Sequence, residues 1–148
     1  MQVDFYQLSR DPVEAAVAML ADRTLAAGER LLVVTGDPAR LDRIGEALWS
    51  AAGKGGEPRF LANGQAGGDH DARQPILLAD EIAPANGARY LALADGVWRE
   101  AEGFARVFLI FDDATLAGAR AAWKDLGRRE GLVRNFWKQE DGRWIKAG

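Results

Sequence analysis

Apolar runs and helical stripes alternate along the chain, each closed by a polar or glycine-containing turn. Val3, Phe5 and Leu8, with Tyr6 and Gln7 between them, read as a short strand. Asp11, Pro12 and Glu14 then supply a capping side chain, a proline for the first helical position and an acid for the first turn. Val13, Ala16, Val17, Leu20 and Ala21 follow at helical spacing until Gly28. Residues 31–34 are a second buried strand. Asp37 and Pro38 repeat the helix-start signal, and Leu41, Ile44 and Leu48 line a helix ending near Gly53. Glycine is frequent from 51 to 73, where the pattern predicts a surface loop holding one brief strand at Arg59, Phe60 and Leu61. Residues 76–78 and 89–93 read as strands, the second entered through an Asn86-Gly87 turn, and 96–104 as a short helix.

The run 107–111 is apolar throughout, as in a strand buried on both faces. Asp112 and Asp113 end it, and either carboxylate suits the free amides and dipole of the helix that follows over 114–129, with its stop at Gly131. Residues 133–139 and 143–146 face each other across Glu140, Asp141 and Gly142, a composition suited to a hairpin. Strand and helix in alternation imply an α/β fold with a mainly parallel sheet flanked by helices, the topology of nucleotide-binding domains. With 148 residues, 48% of them hydrophobic, the chain suits a single domain over 1–148 that buries roughly two thirds of its unfolded surface.

Composition narrows the function. The chain has no cysteine, which removes disulfides, thiol catalysis and cysteine-bound zinc, and points to the cytoplasm. It shows neither a signal peptide nor an apolar run of the about eighteen residues that a membrane span requires. Residues 1–113 hold 11 Lys and Arg against 18 Asp and Glu, whereas 114–148 hold 8 against 4. A chain of net charge -3 therefore divides into an acidic body and a basic end that attracts anions.

Catalytic motifs are incomplete. The TGDP turn lies between strand and helix, but Gly36 stands without the further glycines and the lysine of a phosphate loop. Lys54 in GKGG follows a helix, the wrong context. The FDD at 111–113 resembles a magnesium-holding pair yet has no phosphate loop to serve. His70, flanked by Asp69 and Asp71, is the single histidine and sits in the glycine-rich loop, so a metal site and a catalytic triad both lack parts. This is a nucleotide-binding-like topology without a phosphate loop, and it points away from enzymatic activity.

The long helix carries more. Leu116, Ala119, Trp123 and Leu126 recur at three- and four-residue spacing and should face the sheet. Arg120 lies four residues from Lys124 and three from Trp123, so two cations border an indole. Such a patch suits a ligand carrying carboxylates and an apolar side chain. A different reading makes the basic, tryptophan-rich end a direct single-stranded nucleic-acid binder, with Arg128, Arg129, Arg134 and Lys138 around Trp137 as a stacking platform.

The chain resembles the DNA polymerase III chi subunit family. The matching stretches are DFYQL near the N-terminus, LDRIGEALW ending at Trp49, RFL at Arg59, Phe60 and Leu61, PILL from Pro75, VFLIFDD, ARAAWK ending at Lys124, and Gly131 with FWKQEDGRW. A Pro-His pair common in the family after the strand at Phe60 is replaced here by Ala62, Asn63 and Gly64. The resemblance implies a non-catalytic, cofactor-free bridging subunit of the bacterial replicase. It implies one surface, Arg120, Trp123 and Lys124, for the acidic C-terminal tail of single-stranded DNA-binding protein. A second, around Trp49, Phe60 and Leu61, would take the psi subunit of the clamp loader, with direct DNA contact weak or absent.

Overall fold

The computed structural model describes residues 1–51, 60–141 and 143–148. In chain order the elements are β1 (Gln2–Gln7), α1 (Val13–Ala26), β2 (Leu31–Val34), α2 (Pro38–Trp49), β3 (Gly64–Gln65), β4 (Ile76–Ala79), β5 (Tyr90–Leu93), β6 (Arg106–Phe111), α3 (Leu116–Leu126), β7 (Val133–Glu140) and β8 (Arg143–Lys146). All eight strands join one sheet in the order β3-β4-β2-β5-β6-β1-β7-β8. Every pairing is parallel except β7 with β8, the expected hairpin. This is the α/β architecture that the alternating pattern predicts.

Alternation along the central strands distributes the core to two faces. Tyr6, Leu31, Val33, Ile76, Leu78, Phe108 and Ile110 pack with Val17, Leu20, Ile44 and Leu48 of α1 and α2. Val3, Phe5, Leu32, Leu77, Leu91, Val107, Leu109 and Phe111 pack with Ala119, Ala122 and Leu126 of α3. Strands covered on both sides need apolar residues at every position, which is why their sequences read as continuous runs.

Several local expectations change. Asp37 does cap α2, accepting from the Ala39 amide, with Pro38 in the first turn. Asp11 does not cap α1: the helix begins after Pro12, and the Asp11 carboxylate accepts from Gln139 Nε2 of β7 instead. Of the two aspartates after β6, Asp112 forms the cap, in a reciprocal box with Thr115. A 3-10 turn follows before α3, which ends at Leu126 rather than 129 because Gly127 and the turn after it close the last carbonyls. Residues 96–104 are irregular, not helical. Asp95 takes the Val97 amide and both terminal nitrogens of Arg99, while Trp98 donates to Glu100, so local side-chain bonds replace a helical ladder. Phe60 and Leu61 are not in a strand; the edge strand is β3, a few residues on, and Arg59 lies outside the described residues.

Candidate ligand-binding pocket on the long helix

Residues of β7 point alternately to the two faces of the sheet. Arg134, Phe136 and Lys138 lie on the α3 face, while Asn135, Trp137 and Gln139 contact Asp4, Tyr6 and Asp11 on the α1 face. On the α3 face Phe136 lies parallel to Phe5 with ring centroids 6.5 Å apart, and Trp123 stands edge-on to both, 5.2 Å from Phe5 and 5.7 Å from Phe136. Beyond Lys146 the ladder continues, with the Ala147 amide donating to the Phe136 carbonyl at 2.7 Å and the Phe136 amide to the Gly148 carbonyl at 3.0 Å.

These parts enclose a pocket of about 300 Å³ lined by Arg120, Trp123, Phe136, Lys138, Ala147 and Gly148. Its floor is aromatic and its rim cationic. Arg120 and Lys138 are exposed, and among the described residues neither has an ion-pair partner. A ring of side-chain size suits such a floor, and a carboxylate suits the rim.

Trp123 is held from behind. The Arg134 guanidinium lies 4.0 Å from the centre of its ring and donates to its carbonyl oxygen. Gly127 leaves the space for this, since a Cβ there would stand 2.6 Å from the Arg134 Cζ. Of the three residues marked by the helix pattern, Arg120 and Trp123 line the pocket, whereas Lys124 is exposed and does not. The second cation is Lys138, and the second ring Phe136. Strand alternation in FWKQ carries the signal that unites Phe136 with Lys138, but the pairing of β7 with β1, which sets them beside α3, does not show in the local sequence.

The basic residues proposed for direct nucleic-acid contact do not form one surface. Arg129 pairs with Glu100 and Asp125. Arg134 and Lys138 face α3, and Trp137 faces α1. The Arg129 hydrogen bond, with a second from the Trp98 indole, draws the Glu100 carboxyl down to about 2.

At the other surface, Trp49 is 51% exposed and Phe60 63%, but Leu61 is 4% exposed. The Leu61 amide donates to the Leu48 carbonyl at 2.8 Å, which ties the chain after Phe60 to the end of α2. Leu61 thus supports that surface from below rather than presenting a side chain there. Phe60 also adopts a left-handed backbone (φ 47°), uncommon for a bulky residue.

The crevice at the carboxyl ends of β1 and β6, where ligands bind in doubly wound sheets, has a volume of about 570 Å³. Its carboxylates include Asp11, Glu14, Asp95, Asp112 and Asp113. The Gly36 amide of the TGDP turn donates to Asp95 at 3.0 Å, so a carboxylate of the chain already takes this amide. Burial alone would raise the Asp95 carboxyl, but the Arg99 hydrogen bond and the Gly36 amide outweigh it and the carboxyl lies below its ordinary value. Asp71 accepts from the amides of Gly67 and Gly68 and so closes its own loop, beside an exposed His70. Among the described residues no helix is long and apolar enough to cross a membrane.

The family model described as DNA polymerase III chi subunit, HolC, matches residues 1–133. Arg120, Trp123 and Lys124 fall inside the matched part, and Phe136 and Lys138 beyond it. No curated protein matches the chain.

Proposed function

The chain belongs to the DNA polymerase III chi subunit family, and from that premise we propose that it bridges the clamp loader to coated single-stranded DNA without performing chemistry itself. The pocket beside α3 takes the acidic C-terminal tail of single-stranded DNA-binding protein. The terminal phenylalanine ring of the tail lies on Trp123 and Phe136, and its carboxylates pair with Arg120 and Lys138. Lys124, one turn along the helix, adds long-range attraction without contact. Trp49 and Phe60, with Leu61 beneath, meet the psi subunit, and the protein works in the cytoplasm.

The observation that carries this reading is the union, in one pocket of about 300 Å³, of an aromatic floor and two cations that have no ion pair among the described residues. A tail with several carboxylates and a terminal ring complements both parts. The basic end of an otherwise acidic chain supports it from the charge pattern alone.

Fluorescence anisotropy of a labelled acidic peptide ending in phenylalanine tests it. Wild type should bind saturably and more weakly as salt rises. Arg120→Ala should cost about 1 to 3 kcal/mol of binding, the worth of a hydrogen bond between charged groups, with the fold unchanged. A folded wild-type protein that does not bind, or binding that neither salt nor the substitution weakens, would overturn the assignment.

A further inference from the structure

We propose that the α1 face of the β7–β8 hairpin is a stacking site for single-stranded nucleic acid, with Trp137 and Trp144 as its walls and Arg23 and Arg143 as its phosphate contacts. The tail pocket lies on the opposite face of the same strand, so this site is separate from the function proposed above.

A groove of about 650 Å³ runs between α1 and the hairpin, lined by Met19, Arg23, Trp137, Arg143 and Trp144, with Asp11 at its border. The walls are fixed. Trp137 lies parallel to Tyr6, with ring centroids 6.0 Å apart and planes at 9°, and its indole N–H points to the buried Asp4 carboxylate at 3.4 Å. Trp144 stands edge-on to the same tyrosine, 5.0 Å away at 83°. The two indole planes therefore stand steeply to one another about Tyr6, and among the described residues the Trp144 indole N–H has no hydrogen-bond partner.

The charge selects the occupant. Neither Arg23 nor Arg143 has an ion pair among the described residues, and Lys146 stands opposite Trp137 in the ladder. The one carboxylate on the lining, Asp11, already accepts from Gln139. An indole face flanked by cations that have no ion pair among the described residues suits a planar base joined to phosphates. Every base offers a π-face, so such contacts tolerate any sequence and weaken with salt. An acidic peptide would satisfy the arginines but leave the flat indole faces without a matching surface.

The test is a titration of the whole chain with a short oligothymidylate, following the indole N–H resonances and tryptophan fluorescence. Saturable shifts are expected at Trp137 and Trp144. Trp144→Leu and Arg143→Glu should each weaken binding about tenfold, the scale of one lost stacking or phosphate contact. Arg143 is exposed, so its variant keeps the test open if Trp144→Leu folds poorly. Arg120→Ala should leave oligonucleotide binding intact, and Arg143→Glu should leave acidic-tail binding intact. The proposal falls if the two indoles do not shift, if both groove variants bind like wild type, or if Arg120→Ala abolishes oligonucleotide binding. It also falls if an acidic peptide produces the same indole shifts, which would make the groove a peptide site.

Discussion

Replacing Asp4 by Asn probes, at nearly constant volume, the most buried charge among the described residues. Asp4 is fully buried on β1. One of its oxygens accepts from Arg106 Nε at 2.8 Å and Gln2 Nε2 at 3.1 Å; the other accepts from Asn135 Nδ2 at 2.9 Å and the Trp137 indole at 3.4 Å. An amide has one oxygen, so one side of this network must lose its acceptor and face an N–H₂ group. If the oxygen stays toward Asn135, Arg106 loses its charged partner. Removing one member of a buried pair costs about 3 to 5 kcal/mol when the survivor is trapped. Here the Arg106 side chain is 34% exposed and regains water, so the expected loss is nearer the about 1.5 to 3 kcal/mol of a single charged hydrogen bond. With a urea slope of about 2 kcal/mol/M, the unfolding midpoint should fall by about 1 M at unchanged slope. Arg106→Met, which also removes the guanidinium 5.1 Å above the Phe108 ring, completes a double-mutant cycle with a coupling near the same size. A loss below about 1 kcal/mol, or a coupling near zero, would refute the view that β1, β6 and β7 are fastened through this carboxylate.

Gly127→Ala should leave stability within about 1 kcal/mol, because Gly127 has helical backbone angles and the clashing atoms are the far end of Arg134. It should nevertheless displace the guanidinium from Trp123, change the near-ultraviolet circular dichroism and weaken tail-peptide binding severalfold; an unchanged spectrum with unchanged affinity would remove Arg134 from the pocket's support. Glu100 has its carboxyl drawn down to about 2, so the stability it contributes is complete above its ordinary value of 4.5 and is lost as pH falls toward about 2. Across that window Glu100→Gln should flatten the fall in melting temperature, modestly because the pair with Arg129 is exposed, and added salt should shrink the difference; parallel curves for the two proteins would count against it.

The hydrophobic pattern carries most of the sheet because burial on two faces leaves little freedom in residue choice. The runs at β2, β4 and residues 107–111 of β6 contain only apolar residues, and the Asp37-Pro38 start of α2 is a local signal with a local partner. Where the pattern misleads, a distant partner has intervened. Asp11 has the right spacing for a cap, but Gln139 reaches it from the other end of the chain. The segment 96–104 has a composition that permits a helix, yet Asp95 and Glu100 bind Arg99, Trp98 and Arg129 and fix it as a loop. The pocket divides the same way. Arg120 and Trp123 share a helix flank and are legible by spacing, whereas Phe136 and Lys138 reach them through a strand whose place beside β1 follows a crossover. Lys124 has the right spacing on the helix but lies outside the lining, and the adjoining strand supplies the second cation, Lys138.

The alternation of β7 bears on how two weak contacts combine. Phe136 and Trp137 are neighbours in sequence, but their side chains stand on opposite faces of a sheet, so ligands on the two surfaces share no side chain. β7 is held in register by parallel pairing with β1 along six residues and by β8 on its other edge, which leaves little room for one site to deform the other. Direct allosteric coupling through the strand should therefore be small, and by reciprocity small in both directions. Cooperation must instead come from tethering. If the acidic tail belongs to a protein already bound to the single strand, holding the tail raises the local concentration of that strand at the Trp137 face. An oligonucleotide and a tail peptide added as separate molecules should then bind independently, whereas the intact nucleoprotein should bind more tightly than either. Impairing both faces together should cost more in that complex than the tail-pocket variant alone.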